Sequence, residues 1–218
     1  LGHFVPDLVL GALDEVLPGR IPAEGASALW NLHMSLRPLP GTPGSSAEIL
    51  MFNSGGTGAR AACDGLNTTA FPSGVHTMPV EATEQVGPVV IWRKELRPGS
   101  GGAGRFRGGL GQQMEIAPAD GYALTFSAMF DRIDHPARGR HGGHAGAHGV
   151  VRLDDGTKLR GKGRQTVPPG RRLVLELPGG GGHGDPKKRA RDKVADDLRQ
   201  GYLNEVDARR DYDFNENQ

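Results

Sequence analysis

Arg97-Pro-Gly-Ser-Gly-Gly-Ala-Gly-Arg-Phe-Arg-Gly-Gly-Leu-Gly111 decides between two fold classes. Within it, Gly99-Ser-Gly-Gly-Ala-Gly104 formally matches the dinucleotide-binding pattern. It also follows Val89-Val-Ile-Trp-Arg-Lys-Glu-Leu96, the clearest strand in the chain. A dinucleotide fold needs a helix directly after the loop, so that its first N–H groups face the pyrophosphate. Here Gly111 is followed by Gln112-Gln-Met-Glu-Ile-Ala117, which reads as a second strand. The order is strand, charged glycine loop, strand, which argues against a doubly wound fold.

A second loop of the same kind runs Asn53-Ser-Gly-Gly-Thr-Gly-Ala-Arg60 and continues to Asp64-Gly65 and Ala70-Phe-Pro-Ser-Gly74. Glycine loses more conformational freedom on ordering than any other residue. Ordered glycine loops with Arg and Asp at set places therefore point to a built site or a tight interface. A flexible linker would be Gly/Ser without apolar anchors. A third run, Gly179-Gly-Gly-Gly-His-Gly184, does lie between a strand and a helix. No further strand follows to complete a βαβ unit there, only a second helix and the tail Phe214-Asn-Glu-Asn-Gln218.

Around these loops the strand signals recur. Glu48–Phe52, Tyr122–Phe130, His148–Leu153, Thr157–Arg160 and Arg171–Leu177 read as strands, and Asp154-Asp-Gly156 as a hairpin turn. Residues 6–17 read as an amphipathic helix with Val5, Leu8, Val9, Ala12, Leu13 and Val16 on one face. Helical signal returns at 187–199 and 204–211, with Asp185 as N-cap and Pro186 at the first helical position. Residues 20–45 stay ambiguous, with prolines at 22, 38, 40 and 43. The expected fold is α+β: mainly strands with long glycine-rich loops, a helix near the N-terminus and two short C-terminal helices. Residues 1–186 would form one catalytic-type domain, incomplete at its N-terminus, and 187–218 a helical tail packed on it. The chain begins at Leu1 in mid-pattern, and the expectation is that it is the C-terminal part of a longer polypeptide.

Composition narrows the function classes. Of 218 residues, 35 are Gly and 16 Pro, near the level where disorder competes, but the recurring apolar strands argue for a folded core. Net charge is +1, so no global field points to nucleic acid or a membrane surface. No stretch approaches the ~20 apolar residues of a membrane-spanning helix. The single cysteine, Cys63, excludes an internal disulfide framework and fits a reducing, cytoplasmic compartment. Asp64 beside it disfavours the thiolate, so a buried structural thiol is the expected role.

Histidines 135, 141, 144 and 148 invite a metal reading, but Gly139–Gly149 is too glycine-rich for a ligating helix, and no metal site is expected in this chain. His76 with Glu81 and Glu84 has the residue types of an acid/base pair. A surface turn leading into a helix start explains the same residues.

Taken together in order, Gly55-Gly-Thr-Gly-Ala-Arg60, Asp64-Gly65, Phe71-Pro-Ser-Gly74, Pro79-Val-Glu81, Glu95-Leu-Arg97, Ser100-Gly-Gly102, Gly104-Arg105 and Arg107-Gly-Gly-Leu-Gly-Gln112 resemble the hydantoinase B/oxoprolinase family. The resemblance continues at Gly161-Lys-Gly163, Pro178-Gly-Gly-Gly-Gly182 and Gly184-Asp-Pro186, and through Val194, Asp197, Gly201, Ala208 and Tyr212. His183 departs from it, standing where Tyr is frequent, as do the extra histidines of 139–149. The resemblance implies a hydrolase-side, B-type subunit much longer than this chain. It implies an A-type partner that uses ATP to phosphorylate the carbonyl oxygen of a cyclic amide, hydantoin or 5-oxoproline, and hence a hetero-oligomer. ATP would sit on the partner, and a divalent metal in the missing N-terminal part. Related subunits serve ketone (acetone or acetophenone) carboxylases, and a docking segment without chemistry of its own is the third alternative. Catalytic residues are not assigned. Asn53, Gly56, Arg60, Asp64 and His76 are the expected substrate or intermediate contacts, and Arg105 and Arg107 the expected phosphate or partner contacts.

Overall fold

Alternation of apolar and polar side chains builds the strands of this computed structural model, which describes residues 2–215. Strand β1 (Trp30–Pro38) turns Trp30, Leu32, Met34 and Leu36 inward and leaves His33 and Arg37 exposed. It lies inside the stretch that looked ambiguous. The prolines of that stretch flank the strand or end it at Pro38 and do not interrupt it. β1 pairs antiparallel with β2 (Ala47–Asn53) and β5 (Tyr122–Met129), and β5 pairs with β7 (Lys162–Val167). This four-stranded sheet has the order β2-β1-β5-β7.

A second antiparallel sheet has the order β3-β4-β8-β6, from β3 (Val89–Leu96), β4 (Gln112–Pro118), β6 (Val150–Leu153) and β8 (Leu173–Glu176). The expected strand 157–160 is not one: Lys158 makes a single bridge to Arg152, and the chain re-enters a sheet at Lys162. The two sheets share one core. Leu32, Met34, Leu124 and Phe126 of the first meet Met114, Ile116, Leu173 and Leu175 of the second. Each such side chain contributes roughly 1.5–3 kcal/mol of burial. Trp30 stacks on Phe130 at 4.4 Å between ring centres, and its indole N–H donates to the Asp131 carbonyl at 3.0 Å.

The glycine loops gather at one end of this sandwich in a bundle of extended backbones. At its centre runs Leu177–His183, every residue of which is buried. Six successive N–H groups leave this segment in different directions. Those of Gly179, Gly180, Gly181, Gly182, His183 and Gly184 donate to the carbonyls of Ala147, Gly109, Glu24, His144, Phe106 and Arg140. Around it, Gly56 donates to Pro178, Ala59 to Gly181, Gly102 to Gly180 and Gly109 to Thr57. Most of the glycines here serve closeness and not left-handed turns, with Gly99 and Gly184, at φ +67° and +74°, among the exceptions. A Cβ on Gly56 would collide with the Gly109 carbonyl, one on Gly180 with that of Thr57, and one on Gly181 with that of Arg138.

Helix α1 (Val5–Leu13) lies on this bundle through the side that carries Asp7, Leu10 and Gly11 and buries none of its residues. The expected apolar face is present but open: Val5, Leu8 and Val9 are exposed. α2 (Val80–Val86) is a short surface helix against β3. At the C-terminus Asp185 caps a single 3-10 turn, Pro186–Lys188, by accepting from the Lys187 N–H at 3.0 Å. α3 (Arg191–Arg199) then starts separately, and α4 (Glu205–Tyr212) follows with Asn204 as its cap. Val194, Leu203, Ala208, Tyr212 and Phe214 pack on Ala103 of the glycine bundle as a small second core. Among the described residues no helix is long and apolar enough to cross a membrane.

Candidate functional site

The glycine loops spend most of their backbone N–H groups inside the protein. The N–H groups from Gly179 to Gly184 are all spent inside the protein, and so are those of Gly56, Thr57, Ala59 and Arg60. Gly56 is one of the colliding positions of the bundle, and its role there is to let Gly109 approach. Asn53 is fully buried beneath it, donating from Nδ2 to the Trp30 carbonyl at 3.4 Å, while its Oδ1 meets no partner among the described residues. His76 is exposed.

Asp64, Arg105 and Arg107 are brought together, in company the sequence did not announce. Arg189 grips Asp64 with two N–H groups, at 2.7 Å to Oδ1 and 2.8 Å to Oδ2. The Arg107 backbone N–H adds a third bond at 2.7 Å. Asp197 accepts from Arg189 at 2.7 Å and from Arg107 at 3.4 Å. Burial works against charge on Asp64, but the bonds and charge of Arg189, with the Arg107 N–H, outweigh it and hold the carboxyl below its usual range. Burial pushes the nearby Tyr212 hydroxyl up to about 12. Arg107 is buried, whereas Arg105 is exposed. Ala62, Cys63, Asp64, Arg105, Phe106 and Arg189 are among the walls of a cavity of about 330 Å³. Cys63, expected to be buried, is part-exposed on that wall.

A second cluster, which the sequence did not single out, lies under α1. Asp7 accepts from Ser27 Oγ at 2.5 Å and from Arg132 at 2.7 Å. Arg132 also donates to Glu24 at 3.1 Å, and Arg138 holds Glu24 with its Nε at 2.7 Å and its backbone N–H at 3.0 Å. Burial raises the Asp7 pKa, and the charge of Glu24 adds to the rise. Burial acts on Glu24 too, but Arg138 and Arg132 overcome it and lower that carboxyl. Two carboxyls pushed in opposite directions have the makings of a proton donor beside a fixed anion. Ser27 and Arg132 both hold positive φ, 57° and 61°, unusual for such residues. The cavity here has a volume of about 450 Å³, with Phe4, Leu8 and His135 completing the wall. Asp7 also reaches a separate cavity of about 210 Å³ that Arg60 and Phe71 line. Arg132 stands 125 residues from Asp7, so no local motif links them.

Among the described residues, no group of three His, Cys, Asp or Glu is placed to hold a metal ion. The histidines of 135–148 point to separate tasks. His141 Nε2 meets Asp14 at 3.1 Å, and His148 Nδ1 meets the Ile133 carbonyl at 2.7 Å. The divalent metal that the family resemblance implies finds no ligand set in these residues.

The sequence matches the family model described as hydantoinase B/oxoprolinase over residues 1–186. Caprolactamase subunit beta of Pseudomonas jessenii is 30% identical over 94% of this chain and 37% of its own length. The crystal structure of the ATP-dependent caprolactamase from Pseudomonas jessenii superposes with a TM-score of 0.80 at 28% identity, covering 95% of this chain and 38% of that one. The nucleotide-free structure of an acetone carboxylase superposes at 0.71 with 21% identity, over 94% of this chain and 31% of that one, a likeness of fold. The chain thus spans less than two-fifths of the length of each of these proteins.

Proposed function

The chain belongs to the hydantoinase B/oxoprolinase family, and we propose that it is the C-terminal part of a B-type hydrolase subunit. In this reading the subunit opens a cyclic amide after an A-type partner has activated the carbonyl with ATP. An unactivated lactam is a poor electrophile, because the nitrogen lone pair is delocalised into the carbonyl. Phosphorylating the oxygen removes that protection and makes the carbon open to attack. The observation that carries the reading is the likeness to the caprolactamase beta subunit along 94% of this chain. The substrate class is a hydantoin, 5-oxoproline or a related lactam, and the compartment is the cytoplasm.

The part this chain plays is to shape the site. Arg60 has an exposed side chain on a cavity that Asp7 also lines, and there we assign contact with a polar intermediate. Asn53 and Gly56 support that wall from within. Coexpression of the complete subunit with an A-type partner is expected to give ATP-dependent ring opening of 5-oxoproline, hydantoin or caprolactam. Carboxylation of a ketone in its place would move the assignment to the carboxylase type.

A second reading rests on the closed glycine bundle. Loops that spend their N–H groups on one another make a rigid scaffold, and the chain would then seat a partner without touching the reacting ring. Arg60→Ala separates the two. Lost turnover with an intact complex supports the site, and lost assembly supports the scaffold.

A further inference from the structure

The cavity beside Asp64 has more positive charge than its own ion pairs neutralise. Its lining brings Arg105, Lys188, Arg189 and Lys193 against the one carboxylate of Asp64. Arg189 and Arg107 are balanced by Asp64 and Asp197. That leaves Arg105, Lys188 and Lys193. Among the described residues, no carboxylate lies within the 4.0 Å of an ion pair from any of the three. Solvated lysines normally scatter over convex surface, but these cations converge on one concavity of about 330 Å³.

Two further features favour an anion there. α3 opens on the same cavity: its N-cap Ala190 and its Lys193 both line it, and no side chain caps the helix. The positive end of the helix and its first-turn N–H groups therefore add to the field. The one acid of that turn, Asp192, does not line the cavity. The second feature is that one of these cations is held in place at the cavity wall. Arg105 lies over the Phe106 ring at 5.5 Å, which restrains its guanidinium at the wall.

Three unbalanced cations exceed what a single carboxylate neutralises. A phosphate monoester carries close to two negative charges and three acceptor oxygens. We propose that this cavity binds the phosphate group of a small molecule, held by Arg105, Lys188 and Lys193 at the start of α3. The assignment rests on the cavity alone and stands or falls separately from the cyclic-amide reading.

Calorimetric titration of the full chain with inorganic phosphate tests it, with malonate at equal ionic strength as the carboxylate comparison. Saturable phosphate binding is expected, weakened about tenfold by Lys193→Gln and by Arg105→Gln, each removing one charge-assisted contact. Lys162→Gln, far from the cavity and paired with Asp131, is expected to leave binding unchanged. All three side chains are exposed, so the variants are expected to melt like the parent chain. Absence of saturation at millimolar phosphate overturns the proposal. So does binding that survives both cavity variants, which would place the anion elsewhere, or malonate binding as tight as phosphate, which would reduce the site to bare charge.

Discussion

At the scale of single residues, the glycines sort into two kinds that the sequence shows as one. Gly170 holds φ +74° at an exposed turn with nothing near a Cβ, so Gly170→Ala is expected to cost about 1–2 kcal/mol, the left-handed penalty alone. Gly56 has no such φ, but a Cβ there meets the Gly109 backbone, which has no flexible end to move aside. Gly56→Ala is expected to cost more than ~3 kcal/mol or to prevent folding, read by urea denaturation against Gly170→Ala. Equal losses would show that the bundle yields easily. The carboxyls give a second test. Asp64 and Glu24 are lowered in the folded chain, so their stabilisation is full above the unfolded values of 3.8 and 4.5 and drains away as pH falls through the folded ones. Asp7 is raised, and its contribution runs the other way, weakening the fold as pH rises through its folded value. A loss of stability below about pH 4 is therefore expected in acid titration monitored by circular dichroism. Asp64→Asn should make that loss shallower and cost about 1–3 kcal/mol at neutral pH, because it leaves Arg189 half unpaired.

At the scale of elements, legibility followed apolar alternation. Strands β3, β4 and β5 were readable because Val89–Leu96, Gln112–Pro118 and Tyr122–Met129 carry inward apolar side chains. β1 carried the same signal in Trp-Asn-Leu-His-Met-Ser-Leu, but the prolines around it masked the pattern. β7 gave no such signal: Lys162-Gly-Arg-Gln-Thr-Val167 is an edge strand whose only fully buried side chain is Val167. The glycine runs were visible, yet only three dimensions show that they serve one another. The Asp7 and Asp64 clusters were hidden because their partners stand 125 residues away in each case. α1 shows how such distant pairs act on an element. It buries nothing, and Asp7–Arg132 and Asp14–Arg140 hold it in place. Arg132→Ala is expected to leave Asp7 without its cation and to free the helix. Hydrogen exchange over residues 5–13 should accelerate by about tenfold or more while β1 and β5 stay protected. Unchanged exchange in α1 would mean that its remaining contacts suffice.

At the scale of the whole molecule, the bundle governs how the parts unfold. Its bonds join segments far apart along the chain: Glu24 to Arg138, Gly56 to Pro178, Gly102 to Gly180 and His144 to Ala103. Three of the segments join strands of the sandwich directly: Asn53 ends β2, Gln112 follows the second loop and begins β4, and Glu176 of β8 immediately precedes the central buried run. These junctions tie the bundle to both sheets, to the first through β2 and to the second through β4 and β8. The sheets cannot separate without pulling the central segment from its neighbours. Contacts so distant in sequence make folding slow, because the loops close before the bonds reward them. They also make it all-or-none. Far-UV circular dichroism reports the sheets, and the fluorescence of Trp30 reports the core where it stacks on Phe130. Amide exchange of Gly179–Gly184 reports the bundle. With Trp92→Phe leaving Trp30 as the remaining tryptophan, all three are expected to give one coincident urea transition. A bundle that exchanged at lower urea, with Trp30 fluorescence unmoved, would instead make the glycine loops a separable layer resting on a self-sufficient sandwich.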